Sequence, residues 1–363
     1  MACMIGTILL FLLIFSVVIL SHEFGHFLVA RWMGVRVDEF GIGFPPRIWA
    51  WKRKNGMEWS INWIPIGGFV KIFGQDGESR KDPESFAGKS IWRRGFILAA
   101  GVLANVVLTV VLLIATFAIG APSILEGEVD PSAKQSEPTI RVTEVLTGAP
   151  AEIAGLKMGD VLLSINGVEF ENSEAARLVL REASDSQALT ITVERKGEIL
   201  TLPVTPAYID DLGGTGIGVG LFDVANVRYP IHIAMVKGVV ATWQYTLMIF
   251  VAFGGFLWHL VTGAGTTLEV TGPVGIAVMT GDVARLGWSY VLQFAAILSL
   301  NLAVFNILPI PALDGGRLFF LVIEGIIRRP VNERVEGFVH QFGFMGLLVL
   351  IVVVTFKDIV NLF

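Results

Sequence analysis

Residues 4–21 contain no charged side chain, and three later stretches, 95–120, 288–310 and 337–356, are equally free of Asp, Glu, Lys and Arg. At 1.5 Å per residue each is long enough, as a helix, to cross a hydrocarbon core of ~30 Å. With 53% hydrophobic and only 16% charged residues over 363 positions, the chain is more apolar than an ordinary soluble domain. It reads as a membrane protein whose spans set the architecture. A fifth stretch, 231–261, is apolar but carries His232, Lys237, Gln244, Trp258 and His259. The first 21 residues hold no Lys or Arg, so the basic region of a cleaved secretory signal is missing and the first helix is expected to be retained. The single cysteine, Cys3, leaves no internal disulfide framework and no Cys-based zinc site.

Charge sets the expected topology. Residues 31–94 hold 12 Lys or Arg against 7 Asp or Glu, whereas residues 121–230 hold 8 against 17. The positive-inside rule therefore places 31–94 in the cytoplasm and 121–230 outside. Arg317, Arg328, Arg329 and Arg334 mark the connection before the last span as cytoplasmic too. Both termini are then outside, and parity requires four spans. The stretch 231–261 is accordingly expected to lie as an amphipathic segment in the outer interface.

Within the first span stands "HEFGH", residues 22–26. Ionisable groups inside a span are expensive and are by default functional. On a helix His22 and His26, at i and i+4, project from one face and can share a metal, while Glu23 can reach a metal-activated water as general base. A catalytic zinc takes three protein ligands. His232, His259 and His340 are candidates for the third, but Asp314 is the better one. It is the sole charge in "NLAVFNILPIPALDGG", where Pro309 and Pro311 break the helix. Broken backbone at membrane depth belongs beside a cavity or packed protein.

Together, "HEFGH" in the first span and "NILPIPALDGG" in a later one resemble the site-2 protease family of intramembrane zinc metalloproteases, most closely its bacterial branch, the regulator of sigma-E protease type. The resemblance implies Zn2+ held by His22, His26 and Asp314, with Glu23 activating water. It also implies that Asn306, Pro309 and Pro311 help hold the substrate. "AAGVLANVVL", from Ala99, resembles the family's second-span motif, with Val102 where many members have proline and with Asn105 retained.

Asn55-Gly56, flanked by alternating aromatic and polar residues, is a hairpin signal. The resemblance implies that this hairpin belongs to a re-entrant β-structure dipping toward the active site, with Gly41 and Gly43 of "GIGF" at the substrate. An exposed strand edge there would pair with an extended peptide. "AEIAGLKMGDVLLSINGVEF" resembles a PDZ domain of the bacterial protease type, and the Asn166-Gly167 turn supports strands independently. Such a domain accepts a peptide or substrate tail at a sheet edge.

The expected fold is a polytopic α-helical membrane protein with four transmembrane helices, a re-entrant β-hairpin region and an extracytoplasmic α+β PDZ domain. The expected segments are the first span (1–33), the hairpin region (34–94), the second span (95–120), a linker (121–139), the PDZ domain (140–206) and a second linker (207–230). The interfacial region (231–287), the third span with the Leu-Asp-Gly motif (288–316), a cytoplasmic connection (317–336) and the fourth span (337–363) complete the chain. "GGTGIGVG" follows no βα unit and is expected to form turns. The acidic balance and the lack of a basic stripe give nucleic-acid binding no support.

The function that the resemblance implies is zinc-dependent endoproteolysis within the bacterial cytoplasmic (inner) membrane, as in stress-response regulation. Its substrates would be single-span proteins, such as a pre-trimmed anti-sigma factor or remnant signal peptides. A PDZ-bearing scaffold with an inert metal site is the alternative. Glu23, dispensable for holding zinc, argues against it. A metal transporter would spread ionisable residues over several spans rather than concentrate them at two positions.

Overall fold

The computed structural model describes residues 2–52, 56–75, 79–125, 131–182, 187–195, 197–209, 213–263 and 271–360. The chain divides into two compact units, Met1–Thr116 with Ile231–Phe363, and Phe117–Pro230.

The first unit is helical around a small sheet. Its helices are α1 (Ala2–Trp32), α2 (Ile91–Ile119), α5 (Ile231–Thr262), α6 (Pro273–Leu286), α7 (Trp288–Ile307), α8 (Asp314–Ile327) and α9 (Glu333–Val360). Small residues let α1 and α2 approach closely and antiparallel, with Gly25 against Ala100 and Ala104. Hydroxyl-to-carbonyl bonds join α2 to α7, from Thr109 Oγ1 to Ala296 O at 3.2 Å and from Ser299 Oγ to Asn105 O at 3.0 Å. Association without a hydrophobic driving force depends on such contacts. Outward, Val349, Leu350, Ile351, Val352 and Val353 of α9 remain exposed, a surface that suits lipid and not water.

Five described helices are long and apolar enough to cross a membrane, lying within 4–32, 91–119, 231–259, 288–307 and 334–360. The charge pattern predicts four, with 231–261 lying in the outer interface. α5 presents a buried seam of small residues, Ala234, Gly238, Ala241 and Thr242, and Gly238 packs on Ile114 of α2. Farther along, Tyr245 Oη meets Gln293 Nε2 at 3.3 Å, and the Phe253 and Phe305 rings lie 5.7 Å apart. These contacts progress in the same direction along both helices, so α5 runs beside α7.

Strands β1 (Val37–Lys52) and β2 (Glu58–Ile72) form the expected antiparallel hairpin. Each bends and pairs twice: Glu39–Ile42 lies between the 58–61 and 68–71 segments, while 58–61 also pairs with Trp49–Lys52. Glycines permit the folding-over. Gly43 has φ +76 and its missing side chain makes room for Ile64 O, and Gly41 faces the Phe69 ring. At the turn Gly56 has φ +85, as expected, while Asn55 lies outside the described residues.

In the second unit β3 (Ala121–Ile124), β4 (Lys134–Gln135), β5 (Thr139–Val145), β6 (Val161–Ile165), β7 (Leu189–Arg195), β8 (Glu198–Val204) and β11 (Val219–Arg228) make an antiparallel sheet. Its order is β3-β11-β5-β6-β7-β8, with β4 beside β11. The helices α3 (Pro150–Ile153) and α4 (Ser173–Glu182) and the strand pair β9 (Ala207–Ile209) and β10 (Gly214–Gly216) complete it. Alternating residues bury Ile140, Val142, Leu162, Ile165, Ile191, Val193 and Leu221 in one core with Ala176 and Leu180. Asn166 (φ 53) and Gly167 (φ 78) form the expected two-residue turn, closed by mutual Ile165 and Val168 backbone bonds of 3.0 Å.

The sequence pattern predicts this domain over 140–206, with 121–139 and 207–230 as linkers. Those segments contain β3, β4, β9, β10 and β11. The glycine-rich run "GGTGIGVG" hid the last of these, because its residues break the alternation that marks a strand. Gly214–Gly216 is nonetheless β10, and Gly218 (φ +76) turns the chain into β11.

Candidate metal centre

Three side chains from two distant parts of the chain meet on the inner face of the helical unit. His22 and His26 are both 6% exposed on α1, and Asp314 begins α8. Asp314 Oδ2 lies 2.9 Å from His22 Nε2 and 3.1 Å from His26 Nε2, and the two Nε2 atoms are 3.1 Å apart. Tetrahedral ligands at zinc–ligand lengths near 2.05 Å would be separated by ~3.3 Å, so these three atoms already form the required triangle. His26 Nδ1 donates to Ile97 O at 2.8 Å, which fixes the tautomer and leaves Nε2 as a lone-pair donor. Two imidazole nitrogens and a carboxylate oxygen turned toward one point fit a divalent cation. Among the described residues no other group of three His, Cys, Asp or Glu converges so closely.

The neighbouring helix is shaped to the imidazoles. A side chain at Gly101 of α2 would occupy the space of His26 Nε2 and of His22 Nε2 and Cε1. Only hydrogen at that position lets α2 pass directly beneath both rings.

Asp314 is aimed by the broken backbone that the two prolines announce. α7 ends at Ile307, and Leu308–Leu313 turn the chain with bonds from Ile310 N to Leu308 O and from Leu313 N to Ile310 O. α8 starts immediately, with Gly315 pressed on Leu308 O and Ile307, and Gly316 on Ile310 O. The "DGG" glycines are therefore steric necessities. Pro309 is exposed on this turn, Pro311 packs against Gly343 of α9, and Asn306 is 7% exposed with Nδ2 donating to Leu302 O at 2.9 Å.

Glu23 stands beside the triad and points to the sheet. Its Oε2 accepts from Val70 N at 3.0 Å, on the edge of the 68–72 segment that faces α1. Gly41 lies across that segment, paired with Phe69, and Gly43 follows it in β1. Of the other histidines, His232 and His259 are exposed on α5, and His340 of α9 binds the turn before Asp314 instead of the ligand triangle.

Several contributors to the site are not predicted by the sequence pattern. Gly101 sits inside the quoted "AAGVLANVVL", where a glycine among larger residues was the available signal. Ile97 O and Val70 N are backbone groups that no residue type announces. Arg94 and Glu324 join α2 to α8 through bonds of 2.6 and 3.1 Å, and neither acid nor base showed its partner in the sequence.

Helices suited to a membrane, together with two imidazole nitrogens and a carboxylate oxygen that converge from "HEFGH" and "LDG" and could hold a metal, point to a class, the membrane metallopeptidases. The family model described as Peptidase family M50 matches residues 10–350. The chain belongs to that family, the site-2 proteases, and is a zinc metalloprotease. It is similar to Zinc metalloprotease RasP of Geobacillus kaustophilus, 31% identical over 437 residues that cover 98% of each chain. Nostoc all3971 is 35% identical over 360 residues, covering 96% of this chain and 94% of its own. Agrobacterium fabrum Atu1380 is 32% identical over 381 residues, covering 98% and 96% respectively.

Proposed function

We propose that the protein is an intramembrane endopeptidase in which His22, His26 and Asp314 hold the zinc and Glu23 is the general base. The observation that carries this reading is the convergence of three ligand atoms within 3.1 Å of one another, two from α1, which is suited to a bilayer, and one from Asp314 at the start of α8, just beyond α7, which is suited to one too. When bound, zinc would polarise the scissile carbonyl and acidify a water. Glu23 accepts a proton from the attacking water and returns it to the amide nitrogen as the C–N bond breaks. A helical substrate must unwind before its carbonyl is accessible. The edge of residues 68–72, whose Val70 amide already aims at Glu23, offers backbone pairing to such an extended segment. Gly41 and Gly43 shape that sheet, and Asn306, Pro309 and Pro311 line the chain on the Asp314 side.

The topology proposed is four crossings, α1, α2, α7 and α9, with 31–94 cytoplasmic and both termini outside a bacterial inner membrane. Contacts of α5 and α6 support the parity. α5 starts beside Ile114 near the end of α2, α6 packs through Gly281 on Thr7 near the start of α1, and the Gly272 and Gly275 amides donate to Asp358 near the end of α9. All three places are outer ends in this topology. The chain from 231 to 287 therefore begins and finishes on one side, even with α5 inserted beside α7.

Phe117–Pro230 is read as one PDZ domain. A groove of about 470 Å3 between Arg177, Leu180 and Arg181 of α4 and residues 214–219 is where a peptide or substrate tail would lie. The substrates proposed are single-span membrane proteins, including pre-trimmed anti-sigma factors and remnant signal peptides.

The test is cleavage of a model single-span peptide by the purified protein in detergent, with zinc measured on the same sample. One zinc per chain and a cut inside the hydrophobic segment are expected. Zinc-loaded protein that cuts only outside that segment, or not at all, overturns the proposal.

A further inference from the structure

We infer that His340 is a positioning residue that sets the zinc affinity of the centre by clamping the turn from which Asp314 projects. The inference rests on the ligand assignment proposed above and adds to it a side chain from α9 that binds no metal. Ala312, two residues before Asp314, has φ +78, a left-handed conformation that a residue with a side chain seldom adopts without support. Its N–H donates to His340 Nδ1 at 2.9 Å. That bond leaves the proton of the neutral ring on Nε2, which is buried and meets no hydrogen-bond partner among the described residues. The ring itself has little freedom. It lies 5.8 Å from the Phe320 ring, and a side chain on Gly316 would stand 3.1 Å from its Cε1. One turn along α9, Gly343 is packed on Pro311 so closely that a side chain there would overlap it.

α9 thus grips the turn at two successive residues, Pro311 by contact and Ala312 by a hydrogen bond. The turn holds few bonds of its own: Leu313 N to Ile310 O is 3.2 Å and Ile310 N to Leu308 O is 2.7 Å. Losing the His340 bond would leave the Ala312 amide unpaired and free the strained residue to relax toward φ below zero. Asp314 would then leave the triangle. Groups that orient a metal ligand from behind commonly change affinity by 10–100-fold.

The acceptor at His340 can be moved without removing it. The side-chain oxygen of Asn reaches about the place of Nδ1, whereas that of Gln reaches about the place of Nε2. H340N, H340Q and D314A are made in the full-length protein, and zinc dissociation constants are measured in detergent by competition with a chromophoric chelator. H340N is expected within about 3-fold of the parent, and H340Q weaker by about 10–100-fold. Equal affinities for H340N and H340Q overturn the inference. Zinc retained by D314A would instead overturn the ligand assignment, whereas zinc lost from D314A but kept by H340Q removes only the role of His340. If neither amide variant folds, A312G in an H340A background decides the matter, because glycine adopts φ +78 unaided. Recovery of zinc affinity relative to H340A supports the clamp, and no recovery overturns it.

Discussion

The backbone N–H of Val70 donates to the carboxylate of Glu23 at 3.0 Å, so the edge of a β-segment and the proposed general base are joined directly. The same edge is the surface proposed to pair with substrate. A peptide that adds to it would lie along the amides that orient the base, and recognition and proton transfer would share one element. That economy constrains which changes separate binding from chemistry.

Glu23→Gln is the sharpest of them. The amide oxygen of Gln can still accept from Val70 N, and both histidines and Asp314 remain, so zinc is expected to stay at the parental ratio. Gln cannot take a proton from water. Cleavage should fall by about 10^2–10^4-fold, the usual contribution of a general base. Zinc content and turnover are measured on one preparation, and turnover near the parental rate would reject Glu23 as the base.

Gly101→Ala should separate zinc binding from the folding of α2. The new methyl would enter the space of His22 and His26, whereas a methyl at Gly95 would meet Leu321 Cδ2 at an ordinary 3.5 Å. Overpacking a filled site costs about 1–3 kcal/mol, so zinc affinity should drop about 5–150-fold in Gly101→Ala. Gly95→Ala should retain zinc and gain about 0.5–1 kcal/mol of helix stability. Equal zinc affinity in the two variants would show that α2 can shift away from the rings.

How legible all this was in the sequence depends on the kind of signal. His22, Glu23, His26 and Asp314 carry their chemistry in their residue types, and the two prolines announced a broken helix where α7 ends at Ile307. The Asn166-Gly167 turn was equally explicit, since both residues have φ above zero. What stayed hidden was set by tertiary partners. α5 is apolar almost throughout, and only its contacts with Gln293 and Phe305 reveal its direction. β10 and β11 were obscured by glycines that interrupt strand alternation. Gly101 and His340 matter because of what stands opposite them, which no local pattern encodes.

Arg94 and Glu324 should behave as a buried pair. Their side chains are only 10% and 15% exposed, with nitrogen to oxygen distances of 2.6 and 3.1 Å. Removing one partner strands the other charge, which typically destabilises by about 3–5 kcal/mol, while apolar replacement of both is often neutral. Arg94→Met and Glu324→Leu should each lower the unfolding temperature in detergent clearly, and the double variant should recover most of the loss. Additive losses in the double variant would mean that the two side chains are not coupled.

The last prediction compares two glycines of the hairpin. Gly56, at the turn, has φ +85, but a side chain there would meet nothing within 4 Å among the described residues. Gly68, on the edge segment, would drive a side chain into Gly41 O and Leu20 Cδ2. Gly56→Ala therefore stores backbone strain of about 1–2 kcal/mol at an open tip and leaves the edge in place. Gly68→Ala has no such freedom, because it must push the edge away from either β1 or α1. Displacing it from α1 breaks the bond between Val70 and Glu23, and displacing it from β1 disrupts the pairing of Phe40 with Val70. Zinc should be unaffected in both, since neither glycine touches His22, His26 or Asp314. Cleavage of a single-span peptide should stay within about 3-fold of the parent for Gly56→Ala and drop at least 10-fold for Gly68→Ala, the latter a loss of ~1.4 kcal/mol or more of transition-state stabilisation relative to the parent. The comparison is run at equal zinc content with both variants in the same detergent. Equal cleavage would show that the edge at residues 68–72 neither orients Glu23 nor receives the substrate.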